Sequence, residues 1–272
     1  MIKDIEKTLD IIIEKVQKRT NVAVIGMSGG VDSTVVATIC SIALGPKNVI
    51  GVELPASSYD LLTEGKHNDN STKIIKKLKI KKIMYNIENS VLTFKKDFYE
   101  AIKAPLNIIN EGNIKARMRM MALYSIAHEI QNITKRVVRV VGTNNISEDF
   151  IGHCTKGGDA ISDFSPIGDL FKSEIYQLAD YFVEKEILEE NMIDRTPSSG
   201  LWESQNDLDE LGYSYDEMEE VITRIFNIKE QMFETKTALD AFILNKHLEN
   251  QHKQNVTENF ILRNIDGLFK EK

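Results

Sequence analysis

Residues 26–33 read Gly-Met-Ser-Gly-Gly-Val-Asp-Ser and lie between an apolar run at 22–25 and an apolar, helix-like stretch at 35–44. A strand, a glycine turn with two hydroxyls and a helix start coincide there. That combination cradles a phosphate or pyrophosphate, because bare backbone N–H groups and the positive end of a helix face the anion. Gly29 and Gly30 permit close backbone approach and positive φ. Ser28 and Ser33 add donors, and Gly26, Met27 and Val31 complete the loop. Asp32 would repel a bare phosphate, so its expected partner is a divalent cation. The plainer reading is a helix N-cap, a position that Asp favours. The segment lacks the lysine of G-x-x-x-x-G-K-[ST] and the spacing of G-x-G-x-x-G, so it is neither an ordinary P-loop nor a dinucleotide fingerprint.

The surrounding elements must hold this loop. Apolar spacing predicts a helix over 2–19, a buried strand over 22–27 and a helix over 33–44. Further strands are expected at 48–54, 82–87 and 137–141, separated by helices at 71–79, 91–102 and 110–129. Residues 55–69 and 147–171 read as loops, 172–184 as a helix and 196–206 as a second loop carrying Trp202. From Tyr215 onward the chain reads as helical and polar. Strands alternating with helices imply an α/β fold: a three-layer parallel sheet, Rossmann-like, with helices on both faces and a helical C-terminal extension. Ligands of such sheets bind at the carboxyl ends of the strands, where the loops 26–33, 55–69 and 142–168 should converge.

The 272 residues suit one large domain. With 42% hydrophobic and 28% charged residues the composition is that of a globular protein with a sizeable core. A net charge of −7 argues against a nonspecific nucleic-acid binder. Cys40 and Cys154 form no C-x-x-C, which excludes a zinc ribbon or dithiol motif and favours a reducing cytoplasm. No apolar run reaches membrane-spanning length, and the charged N-terminal helix is unlike a signal peptide.

The glycine loop S-G-G-x-D-S resembles that of the ATP pyrophosphatases. Together with GNIKARMRMMALY (112–124), VGTNNISEDFIGHCTKGGD (141–159), PIGDLFKSEIYQLA (166–179), TPSSGLWESQNDLDELG (196–212) and QHK (251–253), it is similar to the ammonia-dependent NAD synthetases. The adenine nucleotide alpha hydrolase-like fold is part of what that resemblance implies. So is the reaction: ATP activates the carboxylate of nicotinic acid adenine dinucleotide (deamido-NAD) as an adenylate, and ammonia displaces AMP. No room for a glutaminase domain is expected, since the glycine loop begins at residue 26 and no cysteine follows Cys154. The resemblance implies one synthetase domain over 1–272 and a homodimer with the dinucleotide site at its interface. The methionine- and leucine-rich helix around Met118, Met120, Met121 and Leu123 fits either a dimer seam or a core helix.

By the same resemblance Asp32 and Glu148 hold Mg2+. Residues 26–33, Thr143, Lys172 and Ser198 contact ATP, and Arg117, Lys156, Asp163, His252 and Lys253 contact the dinucleotide. Asp32 and Lys172 are the expected catalytic groups. Each has a local alternative: Glu148 as a first-turn glutamate, Thr143 as a strand-end hydroxyl, Lys172 as a solvated helix-start lysine, Ser198 as a loop serine. Arg117 has a rival in Arg119. GDAISD stands where the family has GDGG-x-D, Gly157 replaces an aromatic, and Gln254 follows His252-Lys253 where the family continues with Arg. Two other readings remain: a thiolating or other amidating ATP pyrophosphatase, or a degenerate nucleotide-binding regulatory homologue.

Overall fold

The computed structural model describes residues 1–56, 68–194, 207–227 and 234–254. Four parallel strands form one sheet in the order β3-β2-β1-β4: β1 (Val22–Gly26), β2 (Val49–Glu53), β3 (Lys81–Met84) and β4 (Val138–Val141). The register pairs Val24 with Ile50 on one side and with Val140 on the other. The helices are α1 (Ile5–Arg19), α2 (Val31–Leu44), α3 (Asn68–Lys77), α4 (Glu88–Ile102), α5 (Ile108–Thr134), α6 (Ile146–Ile151), α7 (Lys172–Glu184), α8 (Asp207–Leu211), α9 (Tyr215–Asn227) and α10 (Ala238–Gln254).

The side-chain alternation of a strand divides the core into two layers. Ala23 and Ile25 of β1 pack with Val16 of α1, Val36 and Ile39 of α2, Ile74 of α3 and Phe182 of α7. Val22 and Val24 face the other way, onto Met120, Leu123 and Ala127 of α5 and Val91 of α4. The three-layer arrangement is therefore the one expected. A third apolar cluster, built on Phe150, Met218, Ile222 and Ile243, joins α6 to the C-terminal helices α9 and α10.

The chain runs outward from β1 through β2 to β3, then returns to lay β4 against the opposite side of β1. Strand order reverses between β1 and β4, which opens a crevice at their carboxyl ends, the usual ligand position in such sheets. The loops after β1 and β4 line it. Residues 57–67, most of the third expected loop, lie outside the described residues.

Several boundaries differ from the sequence reading. β3 ends at Met84, yet pairing with the β2 side continues through Tyr85 N–H to Glu53 O and Ile87 N–H to Pro55 O, both 2.9 Å. The stretch 147–171 is not all loop, for it begins with α6. On the long helix Ile114, Ala116, Met120, Ala122, Leu123 and Ala127 are buried, whereas Met121 is 58% exposed. Seven of its 27 residues are buried, so one stripe of this helix is core and the rest is not.

Candidate functional site

The phosphate loop closes on itself. Gly29 takes a φ of 78°, open to glycine at little cost, whereas Gly30 is extended at −82° and needs no such freedom. Gly30, not Asp32, is the N-cap of α2, and no side chain caps that helix. Its first N–H groups therefore remain directed at the crevice, as an anion site requires. Ser28 Oγ accepts from Gly30 N–H at 3.2 Å and lies 3.0 Å from Ser33 Oγ, which fixes both hydroxyls at the loop. The Asn70 amide donates to Gly29 O at 2.7 Å and Met192 O at 3.1 Å, bracing the loop from α3.

Asp32 sits in the first turn of α2 and faces across the crevice. Its Oδ1 accepts from Asn145 Nδ2 at 3.0 Å, and its Oδ2 from Lys172 Nζ at 2.6 Å. Lys172 Nζ also donates to Glu148 Oε1 at 2.9 Å. Asn145 and Lys172, 113 and 140 positions from Asp32, thus meet it at one point, where Lys172 also holds Glu148. Lys172 opens α7 but is no solvated lysine, being only 3% exposed. Burial alone would lower its pKa. Glu148 and Asp32 outweigh that and hold the ammonium well above the ordinary lysine range. Glu148 itself is pushed up, first by burial and also by Asp32, with Lys172 opposing.

Asn145 is the N-cap of α6: its Oδ1 accepts from Glu148 N–H at 3.0 Å while its amide donates to Asp32. One buried asparagine therefore bonds the Asp32 carboxylate and the backbone of Glu148. The Asn-x-x-Glu spacing is a helix-start signal visible in the sequence, but the bond to Asp32 is not. Glu148 is a first-turn glutamate and a site residue at once.

Two carboxylates sharing one cation at the mouth of a phosphate loop suit Mg2+, which typically takes one or two protein carboxylates and completes its shell with phosphate and water. Among the described residues no cluster of three or more His, Cys, Asp or Glu gathers into an all-protein cage, as that mode of binding requires none.

The site has supports that sequence reasoning missed. Tyr215 of α9 lies with its ring 5.3 Å from Lys172 Nζ, and its hydroxyl donates to Asp207 at 2.7 Å. Burial, with Glu148 and Asp207 beside it, drives that phenol far above its ordinary pKa, so it remains a donor. Glu219 accepts from Ser147 Oγ at 2.7 Å and from Ser173 N–H at 3.2 Å, and also bonds Ser173 Oγ, tying α6 to the start of α7. Asp207 lies within the 196–212 motif without being singled out there, and no local motif marks Tyr215 or Glu219.

His153 stands 3.6 Å from the Asp207 carboxylate. Burial alone would lower its pKa, but Asp207, with Glu148 and Glu210 behind it, raises it. A raised value in the folded state stabilises the protein fully below the unfolded pKa of about 6.5, and this contribution fades as pH climbs through the folded value. His153→Gln should therefore lower the melting temperature more at pH 6 than at pH 9. Equal loss at both would remove the charged pair from the account.

The dinucleotide candidates are placed less uniformly. Arg117 Nε donates to Lys156 O at 3.1 Å, so these two are brought together on the exposed rim between α5 and the 155–158 loop. Arg119 instead turns to Leu54 O at 3.3 Å. Asp163 Oδ2 accepts from Val140 N–H at 2.7 Å, which commits one oxygen to the edge of β4. Thr143 lies half-buried just past β4. His252 is exposed, its Nδ1 3.1 Å from Glu249 O, while Lys253 Nζ donates to Gly152 O at 2.8 Å. Ser198 lies outside the described residues.

Fold and site together define a nucleotide-binding α/β protein with a glycine loop and two carboxylates sharing Lys172 at the switch point of its sheet. A family model described as NAD synthase matches residues 2–263, and the chain belongs to that family. It is 36% identical over 230 residues to the NH(3)-dependent NAD(+) synthetase of Pyrococcus horikoshii, covering 84% of this chain and 81% of that one. With the Campylobacter jejuni protein of the same name it shares 33% identity over 257 residues, 93% and 96% of the two chains. The solved Campylobacter jejuni NH3-dependent NAD synthetase, in complex with the nitrate ion, superposes with a TM-score of 0.70 at 26% identity, covering 95% of this chain and 99% of that one. The NMN synthetase of Francisella tularensis shares the fold, with a TM-score of 0.75 at 24% identity and coverage of 95% and 99%.

Proposed function

We propose that this chain is a ligase that uses ATP to amidate deamido-NAD with ammonia, giving NAD, AMP and pyrophosphate. The observation that carries the reading is the meeting of Asp32 and Glu148 on one cation, Lys172, beside the uncapped start of α2. A carboxylate is a poor electrophile. Its attack on the α-phosphorus of ATP expels pyrophosphate and forms a mixed anhydride, whose carbonyl ammonia can attack with AMP as leaving group. The protein's part is to position the reactants and neutralise charge.

The N–H groups of residues 31–33 and the hydroxyls of Ser28 and Ser33 grip the phosphates. Lys172, permanently charged, stands ready to meet the charge that develops on the departing pyrophosphate. Asp32 and Glu148 would hold Mg2+, which supplies further neutralisation of the triphosphate when bound. Arg117 and Lys156 gather the phosphates or carboxylate of the dinucleotide, and Asp163, His252 and Lys253 supply further contacts to it. Thr143 and Ser198 complete the ATP contacts. The thiolating alternative finds no support in the cysteines: Cys40 is fully buried, and burial raises both thiols to about 12.

The names of the relatives support free ammonia as nitrogen donor. One synthetase domain over 1–272 accords with that. We further read the protein as a cytoplasmic homodimer. Among the described residues no helix is long and apolar enough to cross a membrane. Leu92, Tyr99 and Ile102 of α4, with Ile108, Ile109 and Met121 of α5, are exposed and apolar, a face suited to a second copy. Nothing suggests a nucleic-acid partner.

The test is a product assay with ATP, Mg2+, ammonium and deamido-NAD. NAD and AMP should appear one for one, and glutamine in place of ammonium should give little. ATP binding without AMP release would favour the regulatory reading. Parallel reactions with nicotinic acid mononucleotide would show whether the dinucleotide is required.

A further inference from the structure

Helix α6 carries Glu148, yet at six residues it is too short to be stable alone. Where its terminal carbonyls go is therefore an informative question. Gly152 takes φ 67° and ends the helix; its N–H donates to Asp149 O at 3.0 Å, and His153 N–H donates to Glu148 O at 2.9 Å. The next three carbonyls are all met from α10, a hundred positions along the chain. His247 Nδ1 lies 2.9 Å from Phe150 O, Asn250 Nδ2 donates to Ile151 O at 3.2 Å, and Lys253 Nζ donates to Gly152 O at 2.8 Å. His247 must carry its proton on Nδ1, since a carbonyl can only accept.

The three donors recur every third residue, which places them on one face of α10. The face approaches closely: a Cβ added at Gly152 would overlap the Cβ of Asn250. His247 also stacks on Phe150 with ring centroids 4.2 Å apart and planes 16° apart. The Lys253 ammonium complements the negative end of α6. Glu148 is thus oriented at one end by Asn145 and at the other by the C-terminal helix.

We propose that the His247, Asn250 and Lys253 stripe is the positioning element for Glu148, so that divalent-cation affinity at the site depends on docking of α10. This rests on the reading of Glu148 as a cation ligand. It gives Lys253 a task on the protein's own backbone, apart from any contact with the dinucleotide. Partners that orient ligating groups commonly change metal affinity by about ten- to a hundredfold when removed.

The experiment titrates Mn2+, followed by electron paramagnetic resonance, into full-length protein holding a non-hydrolysable ATP analogue. Asn250→Leu keeps the size of the side chain without its donor and should weaken Mn2+ binding about tenfold. Asn250→Ser, which retains a hydroxyl donor, should recover part of the loss. Lys253→Gln should weaken Mn2+ as well. Analogue binding without metal and the KM for deamido-NAD should hold constant in the Asn250 variants. Glu148→Gln serves as the control. If it weakens Mn2+ while the Asn250 and Lys253 variants bind as wild type, positioning by α10 is overturned and the cation site stands. If Glu148→Gln itself leaves Mn2+ affinity unchanged, the cation assignment falls and this inference with it. Should Asn250→Leu fail to fold, Asn250→Ser and Lys253→Gln decide the matter.

Discussion

Asp32→Asn should slow AMP release by about a thousandfold at saturating Mg2+ while leaving the circular dichroism spectrum unchanged. The substitution preserves shape and removes one charge. In the native site Oδ1 receives the Asn145 amide at 3.0 Å and Oδ2 the Lys172 ammonium at 2.6 Å. An asparagine would have to present its NH2 to one of these two donors, so one contact becomes a repulsion between donors. The loss of negative charge also removes a cation ligand next to the anion loop, where charge neutralisation must occur. The fold should survive, because α2 is held by Val35, Val36 and Ile39 in the core and not by this carboxylate. A variant turning over within tenfold of wild type under these conditions would discard the assignment.

The second large effect concerns Lys172→Met, and here two readouts should move in opposite directions. Removing one partner from a buried ion pair leaves the others uncompensated, commonly at a cost of about 3–5 kcal/mol. Asp32 and Glu148 would be left facing each other with the ammonium gone. Urea denaturation in chelator should show that loss, and activity should fall steeply because the cation that meets the pyrophosphate is missing. Mn2+ binding to the nucleotide-free protein should strengthen, since Lys172 no longer competes for the same two carboxylates. Added Mn2+ should then restore much of the stability by mass action. Unchanged or weakened Mn2+ affinity in this variant would show that ammonium and metal do not share those oxygens.

Much of this arrangement was legible in the residues. The strand, turn and helix start at 22–44 mark the anion loop, and helical and strand periodicity gives the layers on both faces of the sheet. Asp32 illustrates where that reading stops. Its type suits a cap or a cation, and only the placement of Gly30 at the N-cap leaves the side chain free to face the crevice. The start of helix α6 shows in its Asn-x-x-Glu spacing, but six residues carry too little apolar periodicity to give its extent, and its stability comes from α9 and α10. Tyr215 and Glu219 reach the site through tertiary packing, so no local spacing announces them. The long helix shows the converse error. Its apolar residues are numerous enough to suggest several stripes, and the sheet selects one of them.

The bonds joining Asp32 to Asn145 and Lys172 span 113 and 140 positions of chain. A polypeptide emerging from the ribosome acquires its nucleotide-gripping loop early, yet completes the acidic pair only after the last strand has been synthesised and has zipped alongside the first. Asp32, Glu148 and Lys172 therefore cannot meet until the chain has been made past residue 172.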